Sequence, residues 1–421
     1  MIKWVTDWLG TCAMDKLPLL DENTSVLDVR DLVDKSGNSV EHINKKLNEA
    51  IQLKNTFKKV VICCDYGMSR SNSIALGVLS KYLKIDKYEA LQIILHKVDE
   101  SDIKLGTLQT VYKALDQENT VSLRNNILIT GANGFIGKHL KKSLNNDYQL
   151  FCPKSKELDL SKNYLLLDAY IRQNNIGQII HLANPRIFTH NSVVSESLLH
   201  IKNILDVVKA NNLKLIFPSG WEIYSGYKGE ITANEYLEPN PKGSYGESKW
   251  FCETIIKQYH KLYNIDYLIL RSSPVYGLGT DKPKFIYNFL DKAMNNTDIV
   301  THKYFDELPA LDLLHISDFI DVFKLSLSKN LNGDYNIGTK KITSTFFIAN
   351  KIVTSLNSKS KVSSVNLEGR VANVMMDFSK FHFKTGWQPK VNFEKGLEEI
   401  LNEINERKKL TRNICLGQNS I

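Results

Sequence analysis

The chain has no uninterrupted apolar run of the ~20 residues that a membrane-crossing helix needs, and no charged, apolar and small-residue leader pattern follows Met1. Both absences argue against a membrane span and lead us to expect a cytoplasmic protein. Cysteine is sparse. The six, Cys12, Cys63, Cys64, Cys152, Cys252 and Cys415, show no C-x-x-C spacing and no histidines at zinc-site distances, so neither a disulfide framework nor a metal site is indicated. Free thiols suit a reducing compartment, where a lone one can act as a nucleophile. A dense basic block is also missing. The formal net charge is +8, but the lysines are interspersed with acidic residues, which argues against nucleic-acid binding and leaves a surface that favours small anionic substrates.

What is present exceeds one ordinary hydrophobic core: 421 residues, 43% hydrophobic and 24% charged, imply two globular domains. In the first, Trp4–Gly10 reads as a short strand and turn and Ser25–Val33 as a buried strand. A helix runs from Ser39, a suitable N-cap, to about Leu53, with Ile43, Leu47, Ala50 and Ile51 as its core stripe. Lys59–Cys63 is a second buried strand. It delivers the chain into Cys64-Asp-Tyr-Gly67-Met-Ser69-Arg70-Ser71 and then an apolar helix.

Five residues between Cys64 and Arg70 let the loop curl with its amides inward around a tetrahedral oxyanion, and the helix N-terminus adds positive potential. A thiol in that field becomes a thiolate near neutral pH. The planar Arg70 fork suits two phosphoryl oxygens. Residues 1–118 thereby resemble the dual-specificity, cysteine-dependent phosphatase family, whose loop is His-Cys-x5-Arg followed by Ser or Thr. The resemblance implies a phosphocysteine intermediate, Ser71 assisting its breakdown, and an aspartate about thirty residues upstream as general acid. Asp31 and Asp34 both fit. Asp34 is preferred because its Asp-Lys-Ser-Gly turn could swing over the pocket, with Asp28 and Asp31 structural. Cys63 stands where the family has histidine, which points to modest activity and an oxidation risk.

Residues 119–125 read as a linker, with a hinge at Gln117–Thr120, and a second domain spans 126–421. Ile127-Leu-Ile-Thr-Gly131-Ala-Asn133-Gly134-Phe135-Ile136-Gly137 is an apolar strand, a three-glycine turn and an amphipathic helix. Gly131 allows the turn, Gly134 close approach of a pyrophosphate, and Gly137 tight packing of the helix on the strand. Strands and helices then alternate, the pattern of a doubly wound parallel sheet. Tyr148–Pro153 is the expected second strand. Lys154, Ser155 and Lys156 beyond it suit the 2′-phosphate of NADP, which is preferred over NAD, and Asp159-Leu160 would border the adenine. The third strand ends in His181-Leu182-Ala183-Asn184, with Leu182 and Ala183 lying along the cofactor. Asn203 reads equally as a buried orienting amide or a surface residue.

Tyr245 and Lys249, four apart on one helix face, form an acid/base pair in which the ammonium and a nearby nicotinamide charge lower the phenol pKa and the lysine anchors the ribose. With these motifs, residues 124 to about 410 resemble the extended short-chain dehydrogenase/reductase family, in particular its nucleotide-sugar epimerases, dehydratases and 4-reductases. Leu215–Tyr224, Arg271–Gly277, Leu311–Asp318, Tyr335–Gly338 and Thr385–Pro389 match it as well. The fold implied is α/β throughout: a cysteine-phosphatase domain, then a Rossmann domain with a small C-terminal substrate-binding region.

Departures from that family bear on the reaction. Gly220 occupies the place of its catalytic serine or threonine, so Ser219 is the candidate hydroxyl. Trp221-Glu222 replaces the dehydratases' Asp-Glu pair. Glu222 remains able to take a proton beside a transient ketone, which supports epimerisation over dehydration. Pro274 and Leu311 replace nucleotide-contacting residues, leaving Arg370 for the substrate diphosphate and Lys284 in a variable lid. The resemblances together imply a bifunctional enzyme acting on a nucleotide-linked or phosphorylated sugar and on a phosphomonoester, with a possible homodimer through the second domain. The alternative is a non-catalytic, phosphate-binding first domain attached to a nucleotide-sugar dehydratase or decarboxylase.

Overall fold

Short apolar runs separated by turns become strands buried on both faces, and the stripes between them become the helices that cover the sheets. A computed structural model describes residues 1–99, 101–116, 126–185, 190–279, 285–305 and 307–417. The chain divides into two units, Met1–Leu123 with Leu165–Tyr170, and Arg124–Tyr164 with Ile171–Ile421. The expected linker, 119–125, lies outside the described residues, as does Lys284.

The first unit holds strands β1 (Lys3–Trp4), β2 (Leu9–Ala13), β3 (Thr24–Asp28) and β4 (Lys59–Cys64), in the order β1-β2-β4-β3. β4 is central and parallel to both neighbours, pairing Cys63 with Cys12 and with Asp28. Its Val60–Cys64 run is buried throughout, so the chain leaves the sheet at Cys64 from the middle of the core. Helices α1 (Val40–Thr56), α2 (Arg70–Leu83), α3 (Lys87–Lys97) and α4 (Leu105–Leu115) complete it. Ser39 caps α1 by accepting the His42 amide at 3.1 Å, and Ile43, Leu47 and Ala50 form its buried face.

From residue 126 the chain order is β5 (Asn126–Thr130), α5 (Phe135–Leu144), β6 (Leu150–Phe151), α6 (Tyr164–Gln173), whose Leu165–Tyr170 is grouped with the first unit, β7 (Ile176–His181), α7 (Ser192–Asn211) and β8 (Lys214–Gly220). It continues through β9 (Gly229–Ala233), α8 (Ser244–Tyr263), β10 (Asp266–Ser272), β11 (Val275–Tyr276), α9 (Phe285–Met294), β12 (Ile299–Tyr304), β13 (Ala310–Asp312), β14 (Leu314–His315), α10 (Ile316–Ser328) and β15 (Gly333–Ile337). β16 (Ile342–Ser344), α11 (Thr345–Ser355), β17 (Val362–Leu367), β18 (Ala372–Met376), α12 (Ser379–Thr385) and α13 (Phe393–Gly417) follow.

Six parallel strands in the order β15-β10-β8-β7-β5-β6 form the expected Rossmann-type sheet. From β5 the chain steps outward to β6 and then returns to the other side of β5 as β7. That reversal places a switch point at the C-terminal ends of β5 and β7, where ligands of such sheets bind. The second strand is shorter than expected, because the chain leaves the ladder before Pro153 and turns through 155–158. The remaining strands pair in twos: β9 with β18, β11 with β14, β12 with β17 and β13 with β16. One core cluster joins sheet and helices through Ile129, Leu140, Leu270, Phe319 and Phe323. Among the described residues no helix is long and apolar enough to cross a membrane.

Candidate active sites

The turn after β5 is built by contact with the next strand over. Gly131 has φ +70°, and a Cβ there would stand 2.7 Å from the Ala183 nitrogen, so only glycine fits. The Leu182 amide donates to the Thr130 carbonyl at 3.1 Å and the Ala183 amide to Thr130 Oγ1 at 3.3 Å. His181 Nδ1 lies 2.7 Å from the same hydroxyl. Gly137 packs against Ala132, 2.6 Å from a built Cβ to its Cα. Its nearest neighbour is thus the turn itself rather than the strand, a correction to the sequence expectation. At Gly134 a Cβ would meet just one atom, the Gly131 oxygen at 3.3 Å, and Asn133 and Gly134 are exposed. No side chain caps α5, and the first turn of the helix points its amides towards the glycine turn. A dinucleotide pyrophosphate fits there.

Beyond β6, Lys154, Ser155 and Lys156 are exposed and no acidic side chain intervenes among them. Glu157 accepts the Lys154 amide at 2.9 Å. Asp159 is held within its own turn by the amide and hydroxyl of Ser161, at 3.0 and 2.6 Å, which keeps its carboxyl below the usual range. Asn203 proves to be the buried alternative. Its amide donates to the carbonyls of Leu160 at 2.8 Å and Lys162 at 3.0 Å, fastening this loop.

Tyr245 and Lys249 both sit near the start of α8. Lys249 is buried, donates to the Pro218 carbonyl at 3.0 Å and lies 5.7 Å from the Tyr245 ring centre. Burial draws its ammonium pKa down. In the protein alone, burial and then the Glu222 carboxylate push the Tyr245 pKa up, so Lys249 by itself does not bring about the expected lowering. Helix spacing fixes where the lysine stands, but a nearby anion and the loss of water decide the sign.

Glu222 rides on a single 3-10 turn, Trp221–Tyr224, that follows β8. A Cβ built on Gly246 would stand 2.6 Å from the Glu222 carbonyl, so α8 packs backbone to backbone on this turn. The Glu222 side chain folds back over Gly220, where a Cβ would meet its Oε2 at 2.2 Å. The carboxylate therefore fills the space of the missing side chain. Ser219 is buried beneath, and its Oγ has no hydrogen-bond partner among the described residues. A small cavity lined by His181, Ala183, Asn184, Phe217, Ser248 and Lys249 adjoins the pair.

The residues that hold this turn escaped sequence reasoning. Fully buried Arg271 grips Glu253 at 2.7 and 3.0 Å and donates to the Tyr224 hydroxyl at 2.9 Å, which Asn336 also approaches at 3.4 Å. The available signal was an arginine inside the apolar run of β10. Arg370 is exposed between β17 and β18, and no described contact brings it to Tyr245 or Glu222.

In the first unit, Cys64 ends β4 and Arg70 opens α2. The Gly67 amide donates to Cys64 Sγ at 3.2 Å and Ser71 Oγ lies 3.3 Å from it. Gly67 has φ +67°, and a Cβ would come 2.5 Å from the Ala13 nitrogen, so the loop is pressed onto β2. Burial raises the Cys64 pKa, but hydrogen bonds from Ser71 and the Gly67 and Tyr66 amides outweigh it and leave the thiol below the usual value. Its neighbour Cys63 is fully buried and pushed up to about 12, burial leading. Asp34, Cys64, Tyr66, Ser69, Arg70 and Lys104 line one cavity. Asp28 is instead paired with Arg30 at 2.7 Å, and Asp31 with His42 and Lys46 at 2.9 and 3.1 Å. The turn carrying Asp34 is not loose, as its Asp-Lys-Ser-Gly sequence suggested. Thr107 bonds the carbonyls of Val33 and Lys35, and Asn38 clasps Val33 through both its amide and its carbonyl.

Residues 127–338, half of the chain, match the NAD dependent epimerase/dehydratase family. The chain belongs to that family. It is 26% identical over 325 residues to the dTDP-D-glucose 4,6-dehydratase of Mus musculus, covering 66% of this chain and 88% of that protein. The fold is shared with the UDP-glucose 4-epimerase of Thermus thermophilus, solved with NAD: TM-score 0.58, 22% identity, 64% of this chain and 96% of that one. The dTDP-glucose 4,6-dehydratase of Bacillus anthracis, also solved with NAD, gives a TM-score of 0.60 at 22% identity over 68% of this chain and 97% of that one. Residues 1–126 lie outside the family match.

Proposed function

We propose that the second unit is an NAD(P)-dependent epimerase or reductase of nucleotide-linked sugars. The observation that carries this is the Glu222 carboxylate lying over Gly220 beside the Tyr245–Lys249 pair. When bound, the dinucleotide supplies the hydride acceptor and donor. Tyr245 passes a proton to and from the hydroxyl of the reacting carbon, and Lys249, fixed by Pro218, holds the ribose side of the site. Glu222 takes the C–H proton beside the transient ketone, giving an enolate that regains a proton on the opposite face from water, while Glu222 gives its own proton up to solvent. Trp221 stands where a dehydratase carries its aspartate, so no acid assists departure of a hydroxyl, and epimerisation or reduction is favoured over dehydration. Arg370 is assigned to the substrate diphosphate, Lys284 to a substrate-binding lid, Ser219 to the sugar hydroxyl, and Lys154 with Ser155 to an NADP 2′-phosphate. The buried free thiols fit a cytoplasmic setting. In deuterated water, UDP- and dTDP-hexoses should gain deuterium beside the ketone with the wild type and not with Glu222→Gln, while Tyr245→Phe stops turnover altogether. Deuterium uptake that survives Glu222→Gln would sink this role, and tighter binding of NAD than NADP, insensitive to Lys154 and Lys156, would sink the cofactor preference.

A second activity is favoured by the Gly67 amide and Ser71 hydroxyl on Cys64 Sγ in a cavity shared with Arg70 and Asp34. Here the Cys64 thiolate attacks phosphorus, the ester P–O bond breaks, and Asp34 gives its proton to the leaving oxygen. Water, helped by Ser71, then splits the phosphocysteine. Hydrolysis of 4-nitrophenyl phosphate should vanish in Cys64→Ser. Hydrolysis unchanged by that substitution would leave a phosphate-binding module without catalysis.

A further inference from the structure

The edge of Arg70 that would receive a phosphoryl group is occupied by carboxylates of its own domain. Arg70 Nη1 is tied from behind, donating to the carbonyls of Arg30 at 3.1 Å and Leu32 at 3.2 Å. That leaves Nη2 and Nε as the parallel donors which a guanidinium offers to two oxygens of one anion. Nη2 donates to the Asp65 carboxylate. Nε faces Asp34 Oδ1 at 3.8 Å, and both of these atoms are buried without a hydrogen-bond partner among the described residues. Arg70 itself is 8% exposed, whereas the Asp65 side chain is 50% exposed. The arginine is thus rigid, and Asp65 is the member free to move.

Resting on the phosphatase reading of this cavity, we propose that Asp65 is its selectivity residue, a carboxylate that holds the oxyanion edge of Arg70 until a phosphomonoester displaces it. Once displaced, Asp65 stands at the mouth of the cavity, beside whatever the phosphoester carries. A second phosphoryl or carboxylate group on the substrate meets repulsion there, while an ammonium group pairs with Asp65 and draws it off the arginine. Asp102 and Lys104, which also border the cavity, are paired with each other. The substrate class is therefore a small phosphomonoester bearing a neighbouring cationic group.

The test uses the full chain as wild type, Asp65→Asn, Asp65→Glu and Cys64→Ser. Inorganic phosphate binding by calorimetry should tighten about fivefold in Asp65→Asn, the scale of a half-exposed ion pair, and stay near wild type in Asp65→Glu. Wild type should hydrolyse phosphoethanolamine with a higher kcat/KM than 3-phosphoglycerate, and the ratio should fall towards one in Asp65→Asn. Phosphate binding that is unchanged or weaker in Asp65→Asn, or a wild-type preference for 3-phosphoglycerate, overturns the proposal. If no Cys64-dependent hydrolysis occurs, the catalytic reading fails. The calorimetric arm still decides the role of Asp65.

Discussion

An imidazole buried beside an ammonium stays neutral well into acid. Burial first, then the charges of Lys249 and His200, pull His181 down to about 3 from an ordinary 6.5. Between those values the unfolded chain binds a proton that the folded chain refuses. The stabilisation is therefore complete above pH 6.5 and is lost as pH falls from there towards 3. We expect the second unit to lose on the order of 2 kcal/mol from this ring by pH 5. Urea titrations at pH 7 and pH 5 should show that difference shrinking in His181→Asn, whose amide replaces the ring's bond to Thr130. An equal pH dependence in wild type and variant would refute the assignment.

Elements are held to one another here by a charge pair that no single element reveals. Arg271 on β10 and Glu253 on α8 are both fully buried, and their third partner, Tyr224, closes the turn that presents Glu222. Removing Glu253 leaves the buried Arg271 only its longer contact with Asp334, at 3.5 Å, so Glu253→Ala should cost ~3 kcal/mol, above the double replacement Arg271→Met with Glu253→Leu. Chemical denaturation of the three proteins checks this, and equal losses would mean that the pair carries no special penalty. The same network marks the limit of what the sequence discloses. The glycine turn, the Tyr245–Lys249 spacing and the Cys64–Arg70 loop were legible because each is local, set by a few neighbours along the chain. So were the long apolar strands of the parallel sheet. The two-stranded pairs were not, because Gly229–Ala233 becomes a strand only by meeting Ala372–Met376. Nor were the Glu222 carboxylate over Gly220, the fastening of the Asp34 turn by Thr107, or the carbonyls of Arg30 and Leu32 behind Arg70, all of which depend on tertiary approach.

At the scale of the whole molecule, the two candidate centres draw on no common side chain: Cys64, Arg70 and Asp34 belong to one unit, Tyr245, Lys249 and Glu222 to the other. Cys64→Ser should therefore abolish phosphomonoester hydrolysis at unaltered nucleotide-sugar turnover, and Tyr245→Phe should do the converse. Parallel assays on the same preparations decide it, and loss of both activities in either variant would contradict the independence. Two units on one polypeptide also have a consequence for dosage. Every translation event delivers the two proposed centres in a ratio of one to one, so no change in transcription or message stability can raise one over the other. Adjustment of their relative flux must come after synthesis, through substrate supply or through a device such as the Asp65 carboxylate on Arg70.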